Sequence, residues 1–242
     1  MATSKSAQEQ KVLAASTAID TLINEGKIFS GMKIGLGTGS TAMPAVKRLA
    51  ERIEDGTLKD IKAVATSFQT TLACEELGIP VYTLNDRAIE GHLDLAIDGA
   101  DEIDTENNLI KGGGAALLRE KIVAYNSSCF AIVADESKAV ANLGTKFALP
   151  VEIIAEARVP VVKKLEALGA KCTLREGVKK AGPVITDNGN MILDCLWQNP
   201  VNPAEMEDKI NNITGVVECG FFTKLKPIVF IAHSDGTVEH RK

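Results

Sequence analysis

Apolar residues recur at helical spacing over residues 8–25, placing Val12, Ala15, Ile19, Leu22 and Ile23 on one face, and Gly26 follows as a stop signal. Beyond it the pattern changes to short, continuous apolar runs separated by helical stretches. The runs at 32–36, 61–65, 93–97 and 129–134 read as buried strands. The stretch after 37–40 to about residue 53, then 68–77 and 115–126, read as helices, the last turning Ala116, Leu117, Ile122 and Tyr125 inward. Strands without polar alternation, interleaved with helices, predict a parallel sheet covered on both faces.

After about residue 149 the rhythm differs. Strands at 151–154, 171–175, 184–186, 191–196 and 216–219 surround helices at 159–168 and 203–213, and the turn signal Asp187-Asn188-Gly189-Asn190 joins two of the strands. The β-α-β-β-α-β order predicts a small antiparallel domain. A last apolar run at 228–232 returns to the first sheet. The expected fold is therefore α/β: a mostly parallel, Rossmann-like sheet with helices on both faces (1–147 and 222–242) plus a smaller ferredoxin-like α+β domain (148–221).

Composition narrows the class without naming it. The chain has 242 residues, 45% hydrophobic and 24% charged, with a formal charge of −5. That balance fits a soluble cytoplasmic protein and offers no basic stripe for nucleic acid or an anionic membrane. No apolar run approaches the roughly 18 residues that span a bilayer, and residues 1–11 lack the apolar core of a signal peptide. The five cysteines form no C-x-x-C pair and read as reduced, buried thiols; His92, His233 and His240 stand far apart, so no zinc site is expected.

Four polar segments carry the candidate chemistry, each following a predicted strand of the first sheet. Gly35-Leu36-Gly37-Thr38-Gly39-Ser40-Thr41 runs from strand to helix, where glycines permit close approach and unpaired amides favour an anion. It suits a phosphate, or a bare helix cap. A dinucleotide fingerprint needs glycine where Ser40 stands and an acid where the next strand ends in Thr66-Ser67; no G-K-[ST] is present for a P-loop. Asp98-Gly99-Ala100-Asp101-Glu102 places acids at a strand end, as ligand groups or as solvated loop acids. Lys111-Gly112-Gly113-Gly114 sets three glycines before a helix, costly in chain entropy unless the backbone needs them, and Glu120 follows on that helix, as a reaching base or a surface acid. Asp135-Glu136-Ser137-Lys138 ends the fourth strand. A parallel sheet gathers strand ends at one edge, so the four should converge. Carboxylates and lysines with neither histidine nor metal suit proton transfer beside a carbonyl.

With these motifs in this order, the chain resembles type A ribose-5-phosphate isomerases over nearly its whole length: Gly-Thr-Gly-Ser-Thr at 37–41, Asp-Gly-Ala-Asp-Glu at 98–102, Lys-Gly-Gly-Gly-Ala-Ala at 111–116, Arg-Glu-Lys at 119–121 and the 135–138 segment. The resemblance implies interconversion of D-ribose 5-phosphate and D-ribulose 5-phosphate through an enediolate, in the pentose phosphate pathway, with no cofactor and no metal. It implies Glu120 as the base, with Asp98, Asp101 and Lys111 as further catalytic groups. It implies substrate contacts from Thr38, Gly39, Ser40, Thr41, Asp98, Gly99, Ala100, Asp101, Lys111, Gly112, Gly113, Gly114 and Lys138. The partner is a small sugar phosphate, not nucleic acid or membrane, and a homodimer is implied by the resemblance alone. Aminosugar-phosphate deaminase-isomerases and lactonases would want a histidine in the site, and all three histidines lie outside the four motifs. A sugar-phosphate-sensing regulator would need a DNA-binding segment, and a nicotinamide-dependent dehydrogenase is disfavoured by Ser40 and the missing ribose acid.

Overall fold

The computed structural model describes residues 4–242. Along the chain run α1 (Ala7–Asn24), β1 (Lys33–Leu36), α2 (Gly39–Glu54), β2 (Lys62–Ala65), α3 (Phe68–Glu76), β3 (Val81–Tyr82) and β4 (Leu95–Asp98). Then follow β5 (Glu102–Ile103), β6 (Leu109–Ile110), α4 (Leu117–Tyr125), β7 (Phe130–Asp135) and β8 (Leu149–Ile153). The last are α5 (Arg158–Ala167), β9 (Ala170–Leu174), β10 (Met191–Trp197), α6 (Pro203–Asn211), β11 (Val216–Cys219), β12 (Phe221–Phe222), β13 (Ile228–Ala232) and β14 (Val238–Arg241).

The chain divides into two compact units. The first holds residues up to Ala100, Arg119–Lys138 and Leu225–Lys242; the second holds Asp101–Leu118 and Ala139–Lys224. The division falls elsewhere than at 147/148 and 221/222. Residues 101–118 leave the large sheet because β5 and β6 pair with each other, and β6 pairs with β12, in a three-stranded antiparallel sheet.

In the first unit, seven strands lie in the order β14-β13-β7-β4-β1-β2-β3. All neighbours are parallel except β13 and β14. Counted by sequence, the parallel strands stand 3-2-1-4-5-6, the doubly wound order, and the order reverses between β1 and β4. The helix α1 starts on a capping box: the Glu9 amide donates to Ser6 Oγ (3.3 Å) and the Ser6 amide to the Glu9 carboxylate (2.7 Å). It ends before Gly26, whose φ is 69°. Ala14, Ala15, Ala18, Ile19 and Leu22 meet the core. Val12, expected on that face, is 46% exposed, because two alanines turn the buried stripe away from it.

The helix α4 departs from expectation in a more telling way. Its buried stripe includes Leu117, Glu120, Lys121 and Ala124, so two charged residues occupy inward positions, while Ile122 is 43% exposed. Val123, on the same side, sits where β1 carries Gly35: a Cβ at that glycine would stand 2.3 Å from Val123 Cγ1.

In the second unit β8, β9, β10 and β11 form an all-antiparallel sheet in the order β11-β8-β10-β9, the ferredoxin-like arrangement, with Val161, Leu165, Met206 and Ile210 of α5 and α6 in its core. The turn at 187–190 forms as expected, with Gly189 at φ 82°. The expected strand at 184–186 reaches only an isolated bridge, Ile185 to Met191. The short strands β3, β5, β6 and β12 escaped notice because two residues carry no periodicity. All five cysteines are free; Cys74, Cys195 and Cys219 are buried, and Cys129 and Cys172 half-buried.

Gly35→Ala, which keeps the strand geometry, must push Val123 off β1. It should lower unfolding stability by about 1–3 kcal/mol in a urea titration, a typical overpacking cost.

Candidate active site

Ligands of doubly wound sheets settle outside the strand C-termini where the order reverses. Here that is the gap between the ends of β1 and β4. Gly37 follows β1 and donates its amide to Ile97 O (2.9 Å). A Cβ on Gly37 would lie 1.9 Å from Asp98 Oδ1, so the close approach of the two loops requires glycine. Asp98, at the end of β4, is 3% exposed, and its Oδ1 accepts the amides of Thr38 (3.2 Å) and Gly99 (2.7 Å). Gly99 lies against Thr41, 2.9 Å from where its own Cβ would be, and Ala100 is buried beside it in sequence.

The phosphate-loop candidates divide. The Thr38 hydroxyl turns into a cluster with Thr66 Oγ1 (2.6 Å), Ser67 Oγ (2.7 Å) and Thr70 Oγ1 (3.2 Å), where the end of β2 meets the start of α3. Its side chain therefore braces the loop. Gly39, at φ 87°, opens α2 and donates its amide to Gln69 Oε1 (3.1 Å). Ser40 is exposed, and its Oγ accepts from the ammonium of Lys11 (3.0 Å). Sequence reading missed Lys11. Its neighbour Gln10 is buried and exchanges two hydrogen bonds with Glu136, at 3.1 and 3.2 Å, so α1 is fastened to the turn after β7 one residue from that lysine.

That turn, Glu136–Lys138, is a single 3-10 turn with Lys138 half-buried. The Ser234 amide (3.1 Å) and hydroxyl hold the Glu136 carboxyl below the usual carboxylate range. His233 Nδ1 faces Glu136 at 3.5 Å, so this histidine, remote from the motifs in sequence, touches the fourth of them in space. Glu120 lies in the first turn of α4 and is 5% exposed. The positive end of that helix favours negative charge there. On either side of it in sequence, Arg119 lies over the Phe68 ring and Lys121 over that of Tyr125.

The second unit carries the remaining candidates. The Asp101 amide donates to Ile110 O (2.8 Å), and its Oδ2 accepts the Gly113 amide (2.8 Å). Lys111 is buried; its amide donates to Gly220 O (2.9 Å) and its ammonium lies 5.7 Å from the Phe222 ring centre. Gly112 has φ 104°, and Gly113 and Gly114 are exposed. Glu102 and Asp104 serve structure instead. Glu102 accepts the amides of Gly144, Lys146 and Phe147, and Asp104 those of Glu106 and Asn108. Among the described residues no group of three or more His, Cys, Asp or Glu is arranged to hold a metal ion, and no helix is long and apolar enough to cross a membrane.

Comparison with known proteins now decides the family. Residues 62–236 match the family model described as ribose 5-phosphate isomerase A (phosphoriboisomerase A). A ribose-5-phosphate isomerase A of Treponema denticola is 63% identical over 231 residues, covering 95% of this chain and 97% of the relative. The chain belongs to the ribose 5-phosphate isomerase A family. The Treponema pallidum isomerase A is 55% identical over 234 residues, covering 96% of this chain and 92% of its own length. Among solved structures of the family, a D-ribose-5-phosphate isomerase in complex with phospho-erythronic acid superposes with a TM-score of 0.91 at 40% identity, covering 98% of this chain and 100% of the other. The Methanocaldococcus jannaschii isomerase A gives 0.89 at 42%, with the same coverage.

Gly37→Ala tests the fit of the β1 loop against Asp98. A methyl group at Gly37 displaces that carboxylate; with Asp98 in the site expected from the sequence, isomerisation should fall about 100-fold or more, the scale of a misplacement of about 1 Å. Parallel thermal melts separate this from unfolding.

Proposed function

We infer that this chain interconverts D-ribose 5-phosphate and D-ribulose 5-phosphate, an aldose–ketose isomerisation of the pentose phosphate pathway. The observation that carries the reading is family membership over almost the whole chain, joined to a strand-order reversal whose two loops bring Asp98 against Gly37.

The chemistry needs three things. The ring form must open, which moves a proton from O1 to the ring oxygen as the C1–ring-oxygen bond breaks; Asp98 and Asp101 are the carboxylates assigned to it. A base must then take the C2 proton while the C1 carbonyl oxygen takes up negative charge, giving an enediolate. Glu120 is that base. It returns the proton at C1 as a proton passes from O2 to O1, so the carbonyl ends at C2. Lys111 and the amides of Gly112, Gly113 and Gly114 stabilise the enediolate oxygens, a type of donor worth roughly 100–1,000-fold in rate.

The phosphate is assigned to the other end. The start of α2 supplies amides and the dipole end, Ser40 and Thr41 supply hydroxyls, and Lys11 supplies a positive charge at Ser40. Thr38 contributes to this seat through its fold, since its hydroxyl and amide are already engaged. Gly39, Gly99, Ala100 and Lys138 complete the substrate contacts in this reading. A cytoplasmic homodimer working without a cofactor is the assembly we propose.

Three measurements test these assignments. Glu120→Gln keeps shape and removes the proton acceptor; kcat should drop by several orders of magnitude with substrate affinity retained, and wild-type turnover would remove Glu120 from the mechanism. Ser40→Ala and Lys11→Ala should each weaken ribose 5-phosphate and inorganic phosphate together, by about 1–3 kcal/mol for a charge-assisted hydrogen bond. If Lys111→Ala alone abolishes phosphate inhibition, the two ends are exchanged. Dialysis against EDTA should leave activity intact; loss restored by magnesium would make Asp98 and Asp101 metal ligands.

A further inference from the structure

Three consecutive glycines have little conformational preference of their own, so the shape of the 112–114 loop must be imposed from outside. Within the loop Gly112 O accepts the Ala115 amide (3.0 Å), closing a turn, and one side chain from outside holds two of its carbonyls. Arg175, just beyond β9, donates from Nη1 to Gly112 O (2.8 Å) and to Gly113 O (3.1 Å). Its other edge is spoken for: Nε and Nη2 form a bidentate pair with Asp194 on β10 (2.9 and 2.5 Å). Its backbone is fixed as well, donating to Ile192 O and accepting from the Val184 amide, both at 2.9 Å.

The consequence follows from peptide geometry. In a planar trans peptide the C=O and the next N–H point in opposite directions. Holding Gly112 O on one side therefore aims the Gly113 N–H to the other, and that amide is the one bonded to Asp101 Oδ2 at 2.8 Å. Holding Gly113 O aims the Gly114 N–H likewise. Lysine could not substitute, because only a planar guanidinium can chelate a carboxylate and still present a free edge to two carbonyls.

We propose that Arg175, backed by Asp194, is a positioning residue for the isomerisation: it sets the direction of the glycine-loop amides and, through the Gly113 amide, the orientation of the Asp101 carboxylate. Arg175 itself touches no reacting atom. The proposal rests on the assignment of Asp101 and the glycine loop to the substrate.

The test is a double-mutant cycle on the full chain with ribose 5-phosphate, using Arg175→Ala, Asp101→Asn and the pair. Arg175→Ala should reduce kcat/KM about 100-fold, mainly in kcat, the scale of a misplaced catalytic group. Arg175→Lys should recover only part, and the pH profile of kcat should change. In the Asp101→Asn background the same change should have little further effect, because positioning acts through Asp101. Independent, multiplying losses would overturn the proposal, as would Arg175→Ala activity within about twofold of wild type while Asp101→Asn is crippled. If Asp101→Asn behaves as wild type, the assignment of Asp101 fails, whatever Arg175 does. Should Arg175→Ala not fold, Asp194→Asn and Arg175→Lys enter the cycle in its place, with the same criteria.

Discussion

The Asp98 carboxylate pressed against the bare backbone of Gly37 is the contact on which the strand-end loops of the first unit depend. The chain leaves β1 and β4 side by side and then diverges, because the strand order reverses there. Two loops can share that gap only if one lacks a side chain. With glycine at 37, the amides of Thr38 and Gly99 close on the same carboxylate oxygen, and a buried acid is held in one orientation. Burying a carboxylate is unfavourable unless hydrogen bonds replace its water, and these amides do so. The start of α2 is fixed by the same contact.

Much of this was legible in the sequence, for a physical reason. Parallel strands buried on both faces leave unbroken apolar runs, so β1, β2, β4, β7 and β13 stood out; three motifs follow β1, β4 and β7, whereas Lys111-Gly112-Gly113-Gly114 follows β6 of the small antiparallel sheet and not a strand of the large one. The β-α-β-β-α-β order was legible on other grounds: short strands, one of them with alternating burial in β9, two helical stretches and the turn signal at 187–190. What hydrophobicity could not show was polarity placed inward. The inner stripe of α4 contains Glu120 and Lys121, and a search for apolar spacing promoted Ile122 in their place. A helix whose pattern fits only when two charges are counted as core is itself a signal.

The residues missed altogether, Lys11 and Arg175, are ones whose contacts are long-range. Lys11 belongs to an otherwise ordinary helix, and its meaning appears only when Gln10 is seen tied to Glu136, 126 residues away. Arg175 reaches glycines 62 and 63 residues away. Thr38 is expected from the resemblance to contact the substrate, and the fold places its hydroxyl among those of Thr66, Ser67 and Thr70. Residue type announces which bonds a side chain can make; the fold decides which it makes.

The two rims of the seven-stranded sheet have a consequence for life at high concentration. An unpaired strand edge is a template on which another chain can add a strand. On one side the rim is β3, only Val81 and Tyr82 long. On the other it is β14, whose Glu239, His240 and Arg241 put charge and a bulky ring along the outermost ladder, with His240 stacked on Phe230. An approaching strand finds too short a run on one side and desolvation of charged groups on the other. A large apolar sheet is thereby hindered from growing by addition at its borders.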